Sequence, residues 1–167
     1  AAMMPAGGAE ARAGALAEVA ALMHQARTDP ALARALAQAA GEPLDDFQRA
    51  NLREIKRHWQ DASLLPGDLV EALSLAGSKC EHAWRRQRKE NDWAGFAPNL
   101  EEVVRLSREV ATLRADALGV RPYDAMLALY EPGMTSARLD QIFGEGLFQS
   151  EVIWKRTHAH GSAKRWA

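Results

Sequence analysis

The sequence has five histidines, the residue type from which helical zinc hydrolases build their metal site. Such a site places two histidines four residues apart on one helix face, and a glutamate directly after the first acts as general base. None of these histidines precedes a glutamate, and no two are four residues apart; they are His24, His58, His82, His158 and His160. We therefore predict that this chain holds no metal site and no catalytic residue.

Signatures of nucleophilic chemistry are also missing. The sequence has no Gly-x-Ser-x-Gly elbow and no glycine-rich loop that could cradle a phosphate. The single cysteine, Cys80, is predicted to be a small apolar residue on a helix face, because His82 at i+2 points elsewhere on a helix. One cysteine forms no internal disulfide, so nothing here requires an oxidising compartment.

The densest basic run is 85–89, with four basic residues in five. It is typical of a solvated helix end favoured by the helix dipole, and phosphate binding is the alternative. The formal net charge of −1 argues against a nucleic-acid partner. The acidic pairs Asp45-Asp46 and Glu101-Glu102 stand where helix starts and solvated faces usually place carboxylates.

Aromatic side chains surround two short acidic segments. Two interpretations stay open. The rings pack in a buried corner where the carboxylates cap helix starts, or this region forms part of a groove wall or a subunit contact. The residues concerned are Trp84, Trp93 and Phe96 around Asn91-Asp92, and Tyr123 and Tyr130 around Asp124.

The elements that must position these residues are predicted to be helices, because apolar residues recur at helical spacing and no long strand-like alternation occurs. Asp29-Pro30 starts a short helix that should stop at Gly41. Asp45 with Gln48 resembles a capping box that begins a helix carrying Phe47, Ala50, Ile55 and Trp59 on its apolar stripe. The fold class is therefore predicted to be all-α, a multi-helix array.

The longest helix is predicted to follow Pro66 and to run to about Glu90, with Leu69, Leu73, Ala76, Cys80, Ala83 and Trp84 on its stripe. We expect 91–99 to form a loop and Pro98 to begin the next long helix, which Gly119 ends. Its inward residues are predicted to be Leu100, Val103, Val104, Ala111 and Leu118. A short helix at 123–129, a turn at 131–133 and a last helix through Phe143, capped by Thr135 or Ser136, complete the array.

Both ends of the chain have a distinct character. The start, Ala1-Ala2-Met3-Met4-Pro5, suggests the interior of a longer protein and carries no signal-peptide pattern. No apolar run approaches the roughly 20 residues that span a bilayer, so we expect a cytoplasmic protein without a membrane partner. Residues 144–167 form a basic, aromatic tail that we predict to be poorly ordered.

Several of these segments, taken in order, resemble the Taq-type thermostable metallocarboxypeptidases, a zinc carboxypeptidase family. The resemblance covers residues 1–143, a helical N-terminal lobe, and its signature residues are expected to be structural or to line a groove. They are Met4, Pro5, Arg12, Trp84, Asn91, Asp92, Phe96, Tyr123, Asp124, Tyr130, Glu131 and Gly133.

The resemblance implies an all-helical, two-lobed homodimeric enzyme that removes C-terminal amino acids from peptides using zinc or cobalt. The family's His-Glu-x-x-His helix has no counterpart in this sequence, so the resemblance implies the non-catalytic N-terminal part of such an enzyme, inactive alone. The alternative is a free-standing helical interaction or dimerisation module without enzymatic activity. After Phe143 the sequence departs from the family. A truncation, a frame change or a natural tail would each explain this departure.

Overall fold

A computed structural model describes residues 6–144, and all regular structure in that range is helical. This confirms the predicted all-α fold class. After a short 3-10 turn at Ala6–Gly8, the helices are α1 (Ala9–Arg27), α2 (Pro30–Ala39), α3 (Asp46–Ser63), α4 (Gly67–Gln87), α5 (Trp93–Leu118) and α6 (Pro122–Leu127). The described part closes with α7 at 136–144. Almost all of the predicted tail therefore lies outside the described residues.

The chain divides into two compact units, residues 1–122 and 123–167. Within the first unit, α4 packs along both α1 and α5, whereas α3 touches α1 and α2 over a shorter length. Its buried apolar side chains come mainly from these three packed helices: Ala13, Ala17, Leu69, Cys80, Leu106, Val110 and Ala115.

Two helix starts follow the predicted capping chemistry. The Asp29 carboxylate accepts a hydrogen bond from the Ala31 N–H at 2.6 Å, and Pro30 occupies the first helical position. At α3 the capping box is complete, because Asp45 accepts from the Gln48 N–H at 2.8 Å and Gln48 accepts from the Asp45 N–H at 2.9 Å. These bonds satisfy N–H groups that have no partner inside the helix.

The start of α5 corrects the sequence prediction. The expected loop at 91–99 is wrong, since α5 begins at Trp93 and contains Pro98. Asp92 provides the cap by accepting from the Gly95 N–H at 2.9 Å. Pro98 is only the sixth helical residue, so its missing donor leaves one first-turn carbonyl, that of Ala94, without its helical bond. With 26 residues, α5 rather than α4 is the longest helix.

The buried face of α5 also differs from the prediction. Val104 and Leu118 were expected to face inward, but they are 37% and 48% exposed. The buried apolar residues are Leu106, Val110 and Ala115. The buried face also includes one charged residue, Arg114. Gly119 ends the helix as predicted, with a φ of +66° that favours glycine.

The predicted apolar stripe of α3 is largely exposed. Phe47 is 75% exposed and Ile55 is 49% exposed. α3 instead contacts α5 through charge: Arg114 donates from Nη1 to Asp61 Oδ1 at 3.1 Å and from Nη2 to the Asp61 carbonyl at 3.3 Å. Arg57 lies 3.5 Å from the other Asp61 oxygen. Because Arg114 is buried, losing its partner would leave a buried charge unpaired.

Substitutions at Leu106 and Phe47 test whether the buried residues of the structure, rather than the predicted apolar stripe of α3, stabilise the fold. We expect Leu106→Ala to lower the free energy of unfolding by about 2–5 kcal/mol, since a 3% exposed side chain leaves a cavity. The matched control, Phe47→Ala, should change it by only about 0.5 kcal/mol because that ring is mostly solvated. Chemical denaturation of the 167-residue chain measures both. A larger loss at Phe47 than at Leu106 would contradict this assignment of the core.

Candidate functional site

The reversal between α4 and α5 is closed by two backbone hydrogen bonds. The Asp92 N–H donates to the Gln87 carbonyl at 2.8 Å, and the Asn91 N–H donates to the Arg88 carbonyl at 3.3 Å. Asn91 has a φ of +53°, in the left-handed region that asparagine tolerates better than most residues. This pairing is the Schellman arrangement, which satisfies carbonyls at a helix end.

Asp92 belongs to both helix ends. Its N–H completes the end of α4, while its carboxylate caps the start of α5 at Gly95. The approach at Gly95 leaves no room for a side chain. A Cβ there would overlap Asp92 Oδ2 and would lie 2.9 Å from Gln87 Nε2. The glycine is therefore required by the close approach of these two side chains.

A pocket of about 210 Å³ opens at this reversal. We call it the corner pocket, lined by Trp84, Gln87, Arg88, Asn91, Asp92, Trp93 and Phe96. The Arg88 guanidinium carbon lies 5.0 Å from the centroid of the Trp84 ring, which is within range for a cation–π contact. The Trp93 and Phe96 rings are tilted by 56° with their centroids 5.8 Å apart, as is favourable for aromatic pairs.

The structure thus brings together four of the predicted site residues: Trp84, Asn91, Asp92 and Phe96. The carboxylate does cap a helix start, as one interpretation held. The rings are not a buried cluster, however, because Trp84 is 40% exposed and Trp93 is 66% exposed. They line an open pocket where α4 ends and α5 begins.

The other aromatic segment lies in the second unit. Asp124 is buried and its Oδ1 accepts from the Ser136 N–H at 2.7 Å and from the Ser136 hydroxyl at 2.6 Å. Thr135 Oγ1 accepts from the Arg138 N–H at 3.2 Å, so it caps α7 as predicted. The flanking rings do not pack around the carboxylate, since Tyr123 is 68% exposed and Tyr130 is 87% exposed.

The remaining signature residues are placed separately. Glu131 and Gly133 form the turn before α7, where Gly133 has a φ of +84° and the Glu131 carbonyl accepts from the Met134 N–H. Arg12 lies exposed on α1, and its charge helps to lower the pKa of Glu81, after the larger effect of the Arg85 hydrogen bond. Met4 and Pro5 lie outside the described residues.

Residues that could ligate a metal do not converge in the described part of the chain. Between residues 6 and 144 no group of three His, Cys, Asp or Glu side chains could hold a metal ion. His24, His58 and His82 belong to three different helices. Cys80 is buried, and this burial raises the pKa of its thiol, which disfavours the reactive thiolate. The described residues therefore do not fit a catalytic metal site.

Sequence reasoning missed two residues that shape the corner pocket. Gln87 stood inside the basic run 85–89, yet it is 6% exposed and its amide oxygen has no hydrogen-bond partner among the described residues. Gly95 was assigned to a loop. One sequence feature could have indicated its role. Gly95 stands three residues after Asp92, and an N-cap side chain accepts a hydrogen bond from the third helical N–H.

Comparison with known proteins places the chain in a family. The family model described as carboxypeptidase Taq (M32) metallopeptidase matches residues 1–160. The chain belongs to the M32 metallopeptidase family. The matched range reaches beyond Phe143, so the resemblance extends further than the residue blocks alone indicated.

Named M32 relatives are carboxypeptidases much longer than this chain. Thermostable carboxypeptidase 1 of Thermus thermophilus is 37% identical over 154 residues, which are 86% of this chain and 30% of the relative. Thermostable carboxypeptidase 1 of Pyrococcus furiosus is 28% identical over 143 residues, 84% of this chain and 28% of the relative. The chain therefore spans about 30% of the length of these relatives.

Solved structures agree with this M32 assignment. Metallocarboxypeptidase 1 of Trypanosoma cruzi is similar with a TM-score of 0.71 and 38% identity, covering 98% of this chain and 34% of that protein. The crystal structure of BsuCP gives a TM-score of 0.76 at 25% identity, covering 85% of this chain and 29% of that protein. Within residues 6–144 no helix has the length and apolar character of a membrane span.

Two glycine substitutions of opposite expected sign test the geometry of the reversal. We expect Gly95→Ala to lower the free energy of unfolding by about 1–3 kcal/mol, because the methyl group overlaps the Asp92 carboxylate. Gly77→Ala should raise it by roughly 0.5–1 kcal/mol, since Gly77 is inside α4 with open space around it. Thermal and urea unfolding compare the two variants. An equal gain at both positions would show that the close approach at Gly95 is absent.

Proposed function

We propose that this chain is the N-terminal, non-catalytic part of a metal-dependent carboxypeptidase that releases C-terminal amino acids from peptides. Family membership carries the proposal, together with the fraction of the relatives that the chain matches. The absence of a His-Glu-x-x-His motif from the sequence is the second support for a non-catalytic part. The catalytic metal, zinc or cobalt, would be held by residues that this sequence does not contain.

The chain's role in that enzyme is to form part of the framework beside the substrate groove. The packed helices α1, α4 and α5 provide a scaffold, and the corner pocket places aromatic rings and an Asn-Asp pair on its surface. Such rings combine apolar area with few rotatable bonds, which suits contact with a peptide or with another part of the enzyme. We further propose that the intact enzyme is a cytoplasmic homodimer acting on peptides.

Exposed aromatic side chains also favour a second candidate, a helical interaction or dimerisation module without an enzyme. Trp93 and Tyr130 are 66% and 87% exposed, and Trp and Tyr are enriched at interface hot spots. The two candidates differ in whether this segment is needed for catalysis. A part of the enzyme framework must be present for peptide hydrolysis, whereas a separate module is dispensable.

A chimera tests which candidate holds. In the Thermus thermophilus relative, the stretch that aligns with this chain is replaced by the matching residues of this chain. We expect the chimera to release the C-terminal residue of a blocked dipeptide within about tenfold of the parent rate, a barrier difference of about 1.4 kcal/mol. The parent with the stretch deleted should be inactive.

Two results would contradict the framework role. Full activity of the deleted parent would show that the segment is dispensable. A chimera that folds and binds its metal normally but lacks turnover would show that this chain cannot replace its counterpart. Circular dichroism and metal content of each purified protein distinguish these results from a failure to fold.

A further inference from the structure

The corner pocket presents two opposite charges that do not neutralise each other. Arg88 and Asp92 both line it, and neither forms an ion pair with any residue of the described range. The Arg88 guanidinium carbon lies over the Trp84 ring, 5.0 Å from its centroid, and the Arg88 N–H groups form no ion pair with a carboxylate of the described range. A guanidinium fork matches the geometry of a carboxylate.

Asp92 offers the complementary group. Its Oδ1 accepts from the Gly95 N–H, yet an ionised carboxylate has about four acceptor positions. Gln87, nearly fully buried in the same wall, has an amide oxygen without a partner among the described residues. The free acceptor positions of Asp92 therefore favour a ligand that carries N–H donors.

Three aromatic residues belong to the same lining. Trp84, Trp93 and Phe96 provide ring faces, with Trp93 mostly exposed at the rim. A volume of about 210 Å³ lies below the roughly 300–1,000 Å³ of pockets for drug-sized ligands, so the ligand is small. The fitting molecule therefore has one carboxylate, one ammonium and a compact apolar group.

We propose that the corner pocket binds a free α-amino acid with a large apolar side chain. The ligand carboxylate pairs with Arg88, its ammonium donates to Asp92, and its side chain packs against Trp93 and Phe96. A lone anion would meet the Asp92 charge, and a lone cation would meet the Arg88 charge. A zwitterion satisfies both, which selects an amino acid over a blocked peptide end.

Calorimetry on the unmodified 167-residue chain tests the proposal with L-phenylalanine as the probe. We expect one molecule bound per chain. Phenylalaninamide, which lacks the carboxylate, and N-acetylphenylalanine, which lacks the ammonium, should each bind at least tenfold more weakly, about 1.4 kcal/mol. No binding of phenylalanine up to its solubility limit, or equal binding of all three compounds, would overturn the proposal. Binding is measured on the chain alone, so the result stands apart from the chimera experiment.

Variants assign the binding to the pocket. Arg88→Gln and Asp92→Asn should each weaken phenylalanine binding at least tenfold, and asparagine keeps the helix cap while removing the charge. The matched control is Arg86→Gln, on the same helix but outside the pocket lining and 3.9 Å from Glu90. It should bind like the parent chain. Unchanged affinity in Arg88→Gln or Asp92→Asn, or an equal loss in Arg86→Gln, would place the site elsewhere and overturn the assignment.

Discussion

The chain reversal between α4 and α5 is the constraint on which the first unit depends. Asp92 closes the end of one helix with its N–H and begins the next with its carboxylate, so a single residue sets the relation between two packed helices. The left-handed Asn91 and the missing side chain at Gly95 make that geometry possible. α4 packs on both α1 and α5. A change in the direction of α5 would therefore alter this packing and the burial of Leu106 and Val110 on α5.

Local signals in the sequence located most helix ends. Asp29, Asp45 and Gly119 act through hydrogen bonds or dihedral angles within a few residues, so their chemistry can be predicted without knowing the fold. Pro98 was predicted to begin a helix, but α5 begins five residues earlier, directly after its Asp92 cap. The buried faces were less predictable, since periodicity gives a stripe but not the neighbour that covers it, as exposed Phe47 shows.

The sequence predicted most residues of the candidate site but not how they are arranged. The clustering of Trp84, Asn91, Asp92 and Phe96 followed from their closeness in sequence across one helix reversal. Gln87 and Gly95 were not foreseen, because a buried amide and a close approach exist only once two helices are packed. Family membership could be anticipated from ordered blocks of residues, whereas the ligand chemistry of the corner pocket required the arrangement of Arg88 over Trp84.

A chain in this family that supplies framework rather than catalysis should neither bind a stoichiometric metal nor cleave peptides. The most direct test is hydrolysis of a blocked dipeptide by the purified 167-residue chain with zinc or cobalt added, alongside its metal content. Absence of turnover and of stoichiometric metal is the expected result. Metal-dependent release of the C-terminal residue by the chain alone would contradict the account, and would require a catalytic site that the described helices do not form.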